Sequence, residues 1–155
     1  MTAIDLDRID RKLLRLLQSD GRRSNQDLAD QASISPATCH RRVQRLVEAG
    51  AIAGFRASVQ PAAVALGTLV MVGVVLDRST PDSFAAFEGA VLQVKEVLDC
   101  HLVAGDFDYL LKIRVRDIAD FNALHGARLL TLPGVRQTRT FFVMKEVKEN
   151  APLDF

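Results

Sequence analysis

The spacing of apolar residues changes near residue 50, and that change points to a two-part chain of the α+β class. Before it, apolar side chains recur at every third or fourth position, the period of a helix lying on a core. After it come runs such as TLVMVGVVL (Thr68–Leu76), with the length and β-branched character of a buried strand.

In the first part, LDRIDRKLLRLLQSDG puts Leu6, Ile9, Leu13, Leu16 and Leu17 on one stripe. Asp7 and Asp10 favour its positive N-terminal end, and Gly21 follows its last turn. In SNQDLADQAS, Ser24 and Asp27 have the spacing of a capping box, and Leu28, Ala29 and Ala32 form a small inner face. After a break at Ser33–Ile34, Ser35 caps a third helix, Pro36 takes its first position and Gly50 ends it. Three helices, the last two short and joined by a tight turn, have the outline of a helix-turn-helix, and also that of an ordinary three-helix bundle.

The third helix separates these readings. The formal net charge is +1, so an affinity for nucleic acid has to be local. At about 100° per residue, Pro36, Cys39, Val43, Leu46 and Val47 share one face. Thr38, Arg41 and Arg45 lie opposite, with Arg42 on the flank. A solvated face mixes both signs of charge, yet no Asp or Glu occurs from Gln31 to Val47. The planar guanidinium fork matches phosphates and guanine edges. The expectation is therefore DNA recognition by this helix. Arg41, Arg42 and Arg45 would contact phosphates and base edges, Thr38 a base or phosphate, and Ser35 would set backbone N–H groups at a phosphate. Arg22 and Arg23 are candidate backbone contacts, with solvated surface as a close competitor. His40 lies beside the apolar stripe and could reach a phosphate or nothing.

After Gly50, AIAGFRASVQP is expected to be a connecting strand. From Thr68 the order is strand, helix, strand, strand, helix, strand. TPDSFAAFEGAVLQV is a helix capped by Thr80, with Phe84, Phe87, Val91 and Leu92 inward. EVLDCHLVAG and FDYLLKIRV are strands divided by a tight turn at Gly105–Asp106. DIADFNALHGARLL is a helix with Ile118, Phe121, Leu124 and Leu129 inward, and VRQTRTFFVMKEV is the last strand. This βαββαβ order is the ferredoxin-like arrangement, a four-stranded antiparallel sheet with both helices on one face. Apolar residues occupy both phases of its strands, so a second copy of the chain is expected to cover the open face. The expected division is a helix-turn-helix domain over 1–51, a linker over 52–66 and a ferredoxin-like domain over 67–155.

The N-terminal MTAIDLDRID carries no apolar run of the signal-peptide kind, and TLVMVGVVL is far shorter than the ~20 residues needed to cross a bilayer. A cytoplasmic location and no membrane association are expected. Cys39–His40 and Cys100–His101 are adjacent pairs without a C-x-x-C, a spacing that suits no metal site. No cofactor, metal or catalytic residue is implied.

Taken together, LDRIDRKLLRLLQSDGRRSN, SPATCHRRVQRLVEAGAIAGF, CHLVAGDFDYLLKIRV and TLPGVRQTRTFFVMKEVK resemble the Lrp/AsnC family of prokaryotic transcription regulators over nearly the whole chain. They most resemble its leucine-responsive branch. The resemblance implies an N-terminal winged helix-turn-helix that binds DNA, and a C-terminal ferredoxin-like domain that binds small effectors, usually amino acids. It also implies homodimers that assemble into octamers, with effectors held between dimers. Carried over residue by residue, the effector region falls on Gly105, Asp106, Asp108 and Tyr109, and more weakly on Leu102 and the turn of Leu132, Pro133, Gly134 and Val135. Ala37–Thr38 and His40 depart from the family's usual recognition helix, which bears on the operator sequence.

The residue chemistry agrees with an effector loop. Gly105 permits positive φ and exposed amides able to hold a carboxylate, and Asp106 or Asp108 could accept from an ammonium group. G-D-x-D is equally the composition of an ordinary hairpin turn whose aspartates bond their own backbone. The leading reading is a regulator of a pseudo-palindromic operator in double-stranded DNA, with leucine as the first effector to try. Its rival is an enzyme resembling the siroheme decarboxylases that share the architecture, with His101 and His125 as the available histidines. A third reading is an effector-binding assembly protein without DNA affinity.

Overall fold

The computed structural model describes residues 4–155, so the first three residues of the expected helix-turn-helix domain lie outside it. The chain forms two compact units. One runs to Ser58 and also takes in Lys148–Phe155; the other is Val59–Val147. The last eight residues, expected in the ferredoxin-like domain, therefore pack with the N-terminal helices.

The first unit is three helices: α1 (Arg8–Ser19), α2 (Asn25–Ala32) and α3 (Pro36–Glu48). Asp7 caps α1: its Oδ1 accepts from the backbone N–H of Ile9 and of Asp10, at 2.9 and 2.8 Å. Asp10 Oδ2 accepts from the Asp7 N–H at 3.2 Å, which completes a reciprocal box. Ser24 caps α2 by accepting from the Asp27 N–H, but the Asp27 carboxylate bonds the Ser24 hydroxyl, so the second half of that box is absent. Ser33 turns the chain in the left-handed conformation (φ 56°), and the Ile34 N–H returns to the Ala29 carbonyl. Ser35 caps α3, Pro36 opens it and Gly50 follows it at φ 72°.

Leu13, Leu28, Ala29, Ala32 and Cys39 are buried together at the centre, with Ile9, Leu16, Leu17, Ile34 and Val43 packed around them. Pro36 and Val47, expected on the inner face of α3, are exposed. The unit is too small to cover both ends of a 13-residue helix. The C-terminal tail lies on α1. Gln18 Nε2 donates to the Leu153 carbonyl at 3.2 Å, its Oε1 accepts from the Leu153 N–H at 2.9 Å, and the Arg15 guanidinium sits 5.8 Å from the Phe155 ring centre.

No strand forms between Ala51 and Gln60, where a connecting strand was expected. A lone extended segment has no ladder partner within one chain. A 3-10 turn, Pro61–Val64, follows.

The second unit is β1 (Thr68–Leu76), α4 (Pro81–Val91), β2 (Val97–Leu102), β3 (Tyr109–Val115), α5 (Ile118–Leu124) and β4 (Val135–Phe142). The sheet has the order β2-β3-β1-β4, with every neighbouring pair antiparallel. Val70, Val72, Val74 and Leu76 on β1 and Tyr109, Leu111, Ile113 and Val115 on β3 face one side. There they pack with Phe87 and Val91 of α4 and Phe121 and Leu124 of α5. Both helices thus cover a single face, the ferredoxin-like arrangement. Leu92 and Ile118, expected inward, are 79% and 59% exposed because each stands at a helix end beyond the sheet. The expected second helix is broken: α5 stops at Leu124 and gives way to a π-helical turn, His125–Leu129. His125 Nε2 meets Thr138 Oγ1 of β4 at 2.8 Å, which fixes that turn to the sheet. On the other face the Phe107 ring lies over Gly73 in the middle of β1. It meets Phe141 edge-on at 6.2 Å, with the Arg139 guanidinium 5.8 Å from its centre.

Candidate nucleic-acid interface and effector loop

The arginines of α3 differ in what holds them. Arg41 is exposed and has no hydrogen bond or ion pair among the described residues. Arg42 is 23% exposed, and its Nη1 donates to Asp7 Oδ2 at 2.8 Å and to Asp10 Oδ1 at 2.9 Å. Arg45 has half its side chain in solvent, and its Nη2 donates to Asp10 Oδ2. Asp7, Arg41, Arg42 and Arg45 line one cleft of about 320 Å³. The acids missing from α3 are thus supplied by the first turn of α1. The sequence pattern did not pair them, because Asp7 and Asp10 already satisfied the rule for helix N-termini. Arg42, expected to reach DNA, is turned instead onto two carboxylates.

Ser35 and Thr38 are also engaged with each other. Ser35 Oγ accepts from the Thr38 N–H at 3.2 Å and donates to Thr38 Oγ1 at 2.9 Å. His40 is exposed beside Arg41. Arg22 is exposed, while Arg23 is half-buried with its Nη2 3.5 Å from Ser19 Oγ. The Asn25 side chain donates to the Pro36 carbonyl at 2.9 Å and ties the start of α2 to the start of α3.

The Asp7 carboxyl is held below its ordinary value, first by the Asp10 N–H and then by the Arg42 guanidinium. A depressed folded-state value contributes stability that is fully present above the ordinary range, near 4, and lost as pH falls through the depressed one. Urea midpoints of the first unit are expected to fall on acidification below about pH 4, and to fall less steeply for Asp7→Asn.

In the second unit, the sequence-predicted effector residues gather at one end of β1. Asp108 Oδ2 accepts from the Leu76 N–H at 2.7 Å, and its Oδ1 accepts from Ser79 Oγ at 3.1 Å. The Gly134 carbonyl accepts from the Asp77 N–H at 2.8 Å, and Val135 pairs with Leu76. The loop holding Asp108 and the turn of Leu132–Val135 therefore both meet Leu76 at the end of β1. Gly105 has φ 148° and Gly134 φ 71°, conformations that favour glycine. Pro133 is exposed in that turn and Leu132 is buried beneath it. Asp106 is exposed with no hydrogen bond among the described residues, and Leu102 is exposed on β2.

Tyr109 is placed differently from the rest. It is 1% exposed, between Phe87 at 4.5 Å and Phe84 at 5.9 Å, and its hydroxyl donates to Glu88 at 2.7 Å. Burial first, then the Glu88 hydrogen bond, pushes its hydroxyl pKa upward. It anchors the start of β3 in the core, with its hydroxyl committed to Glu88. Sequence reasoning passed over Gly73 and Phe107; a lone glycine inside an apolar strand was the available signal of a close approach.

Residues 69–153 match the model of the Lrp/AsnC ligand binding domain, and residues 6–53 match that of a winged helix-turn-helix DNA-binding domain. The chain is 49% identical over 146 residues to the leucine-responsive regulatory protein of Salmonella typhimurium, covering 94% of this chain and 89% of that protein. Its structure is similar to that of a Neisseria meningitidis transcriptional regulator in complex with L-methionine, with a TM-score of 0.90, 33% identity and 97% of each chain covered. An AsnC family regulator from Agrobacterium tumefaciens gives a TM-score of 0.90 at 32% identity, covering 96% of this chain and 97% of that one.

Proposed function

From the premise that this chain belongs to the Lrp/AsnC family of DNA-binding transcription regulators, we propose that α3 reads a pseudo-palindromic operator and that an amino acid bound at the β1 end controls the assembly that does so. The observation that carries the first half is Arg41, an unengaged guanidinium on a helix whose opposite side is sealed by Cys39 and Leu46. Arg45 and Arg41 contact phosphates and base edges, Thr38 and the Ser35 cap meet a phosphate, and Arg22 and Arg23 add backbone contacts.

The effector half is supported by the loop that carries Gly105 and Asp106 being held through Asp108 to Leu76, the residue that also pairs with Val135 of the Leu132–Val135 turn, with Leu102 exposed on the strand leading into the loop. Asp106 is the carboxylate left available for an ammonium group, whereas Asp108 and Tyr109 fix the loop that carries it. A homodimer formed through the open sheet face, assembling further to an octamer, would place two α3 helices about one DNA turn, or a multiple of it, apart. Relatives of this chain are named for leucine or were solved with L-methionine, so leucine and methionine come first in a thermal-shift screen of amino acids. The reading as an enzyme is not favoured: the matched relatives are regulators, His101 is exposed on β2, and His125 is committed to Thr138.

Arg45→Ala is expected to weaken operator binding by at least about 1 kcal/mol in a gel-shift titration. Unchanged affinity would remove that residue from the interface.

A further inference from the structure

On the reading that α3 binds DNA, we propose that α1 carries a second phosphate-binding surface, which holds duplex lying beyond the site that α3 reads. Its groups are Arg8, Arg11, Lys12 and Arg15. Their spacing of three, four and seven positions puts all four on one face of the helix. All four are exposed, and none has a side-chain ion pair or hydrogen bond among the described residues. Arg15 has only the Phe155 ring, 5.8 Å away.

The acids that would offset such a face are engaged elsewhere. Asp10 is the only acid between Arg8 and Ser19, and its side chain is 1% exposed and turned onto Arg42 and Arg45. Asp7, one turn before Arg11, gives its carboxylate to Arg42 and to the cap of α1. The placement is unfavourable for the helix taken alone. Like charges three and four positions apart repel. Arg8 and Arg11 lie near the N-terminal end, where the helix dipole favours anions, while the last turn, where it favours cations, has none. A solvated face without a task mixes both signs, as the chain does as a whole at a formal net charge of +1. A local rule broken with no compensation on the same helix points to a ligand.

That ligand is a polyanion, and duplex fits it. At about 1.5 Å per residue the four cations extend over about 10 Å, roughly three steps of one DNA strand at about 3.4 Å each. The stripe also continues the arginine cleft. Asp7 lines that cleft with Arg41, Arg42 and Arg45, and Arg11 stands one turn further along α1. At the far end Arg23 Nη2 lies 3.5 Å from Ser19 Oγ, on the same face of α1. Phosphates taken up along this track add affinity and read no base.

The test uses the full chain and the site that it selects from a random duplex library, once trimmed to that site and once with mixed-sequence flanks. The unaltered chain is expected to bind the flanked duplex more tightly and with a steeper salt dependence. Arg8→Gln, Arg11→Gln and Lys12→Gln together keep good helix formers on the face and leave Arg15 against Phe155. On the flanked duplex the salt slope of this variant is expected to fall by about three units, one for each lost phosphate contact, and the gain from the flanks to vanish. On the trimmed duplex it should match the unaltered chain. Lys95→Gln, Arg128→Gln and Lys145→Gln together remove the same charge from exposed positions of the second unit and should keep the gain.

An α1 variant that gains from the flanks as the unaltered chain does overturns the proposal and leaves an acidic protein as the occupant of the stripe. Equal weakening on both duplexes overturns it, as does loss of the gain in the second-unit variant, which would make net charge the cause. Should the α1 variant fail to fold by circular dichroism, the Arg8 and Arg11 guanidinium resonances of the unaltered chain decide. A shift with the flanked duplex that the trimmed one does not produce supports the proposal; a shift with both, or with neither, overturns it. An unaltered chain that binds neither duplex overturns the DNA-binding reading as well, whereas one that binds the trimmed duplex and gains nothing from flanks overturns this inference alone.

Discussion

Leu13→Ala is expected to destabilise the first unit by about 2–5 kcal/mol and to abolish DNA binding while leaving the second unit folded. Leu13 is completely buried, and of the other buried members of that core only Leu28 is large, the rest being Ala29, Ala32 and Cys39. Truncating it leaves a cavity at the centre of the three helices. A unit of this size buries a modest fraction of its surface and is marginally stable to begin with, so a loss of this magnitude is comparable to its whole stability. The recognition helix depends on that packing, because Cys39 and Val43 reach α1 through the same cluster. The second unit has its own core, built on Phe87, Tyr109, Leu111 and Ile113, and shares none of these residues. In calorimetry, one transition should move to lower temperature and the other should stay, and a gel-shift titration should show no operator complex. Two unmoved transitions with unchanged DNA affinity would show that α3 does not rely on α1 for its presentation.

Features decided within a few residues were readable from the sequence. Ser24, Ser35 and Thr80 each cap a helix by accepting from the N–H three positions on, and Pro36 opens α3. The change of period near residue 50 was equally local in origin, and it sorted three helices from a βαββαβ unit. What escaped depends on contacts between distant residues. Asp10 and Arg45 are 35 positions apart, so an α3 without acids looked like a bare positive face although α1 supplies the counter-charge. Gln18 and Leu153 are 135 positions apart, and nothing in the last residues announced that they return to α1. Tyr109 was expected on the strand FDYLLKIRV, and the family resemblance also carried it to the effector region. Strand alternation from Leu111, Ile113 and Val115 carries it into the core instead. The segment after Ala51 looked like a strand by composition, but a strand also needs a neighbour, and composition does not supply one.

Gly73→Val is expected to cost about 1–3 kcal/mol in the second unit and to remove the thermal shift produced by the effector, with DNA affinity of the effector-free protein retained. A side chain at residue 73 has no room: its Cβ would lie 2.6 Å from Phe107 Cδ1 and Cε1 and 2.7 Å from Cγ. Cγ is bonded directly to Cβ and lies on the ring's own axis, so turning the ring about that axis cannot relieve the clash, and the loop between β2 and β3 has to lift. β1 itself is held by β3 on one side and β4 on the other, with pairs Gly73–Leu110 and Gly73–Arg139 flanking the site, so the strand cannot retreat. Phe107 stands between Asp106 and Asp108. Lifting it moves the one carboxylate of the loop without a partner among the described residues. It also strains the Asp108 hydrogen bonds to Leu76 and Ser79 that hold the loop at the end of β1. Gly73→Ala introduces the same clash with less bulk beyond Cβ and should give a smaller change in the same direction. If Gly73→Val keeps both its melting temperature and its effector-induced shift, Phe107 does not fasten this loop to the sheet, and the effector site has to be sought away from the β1 end.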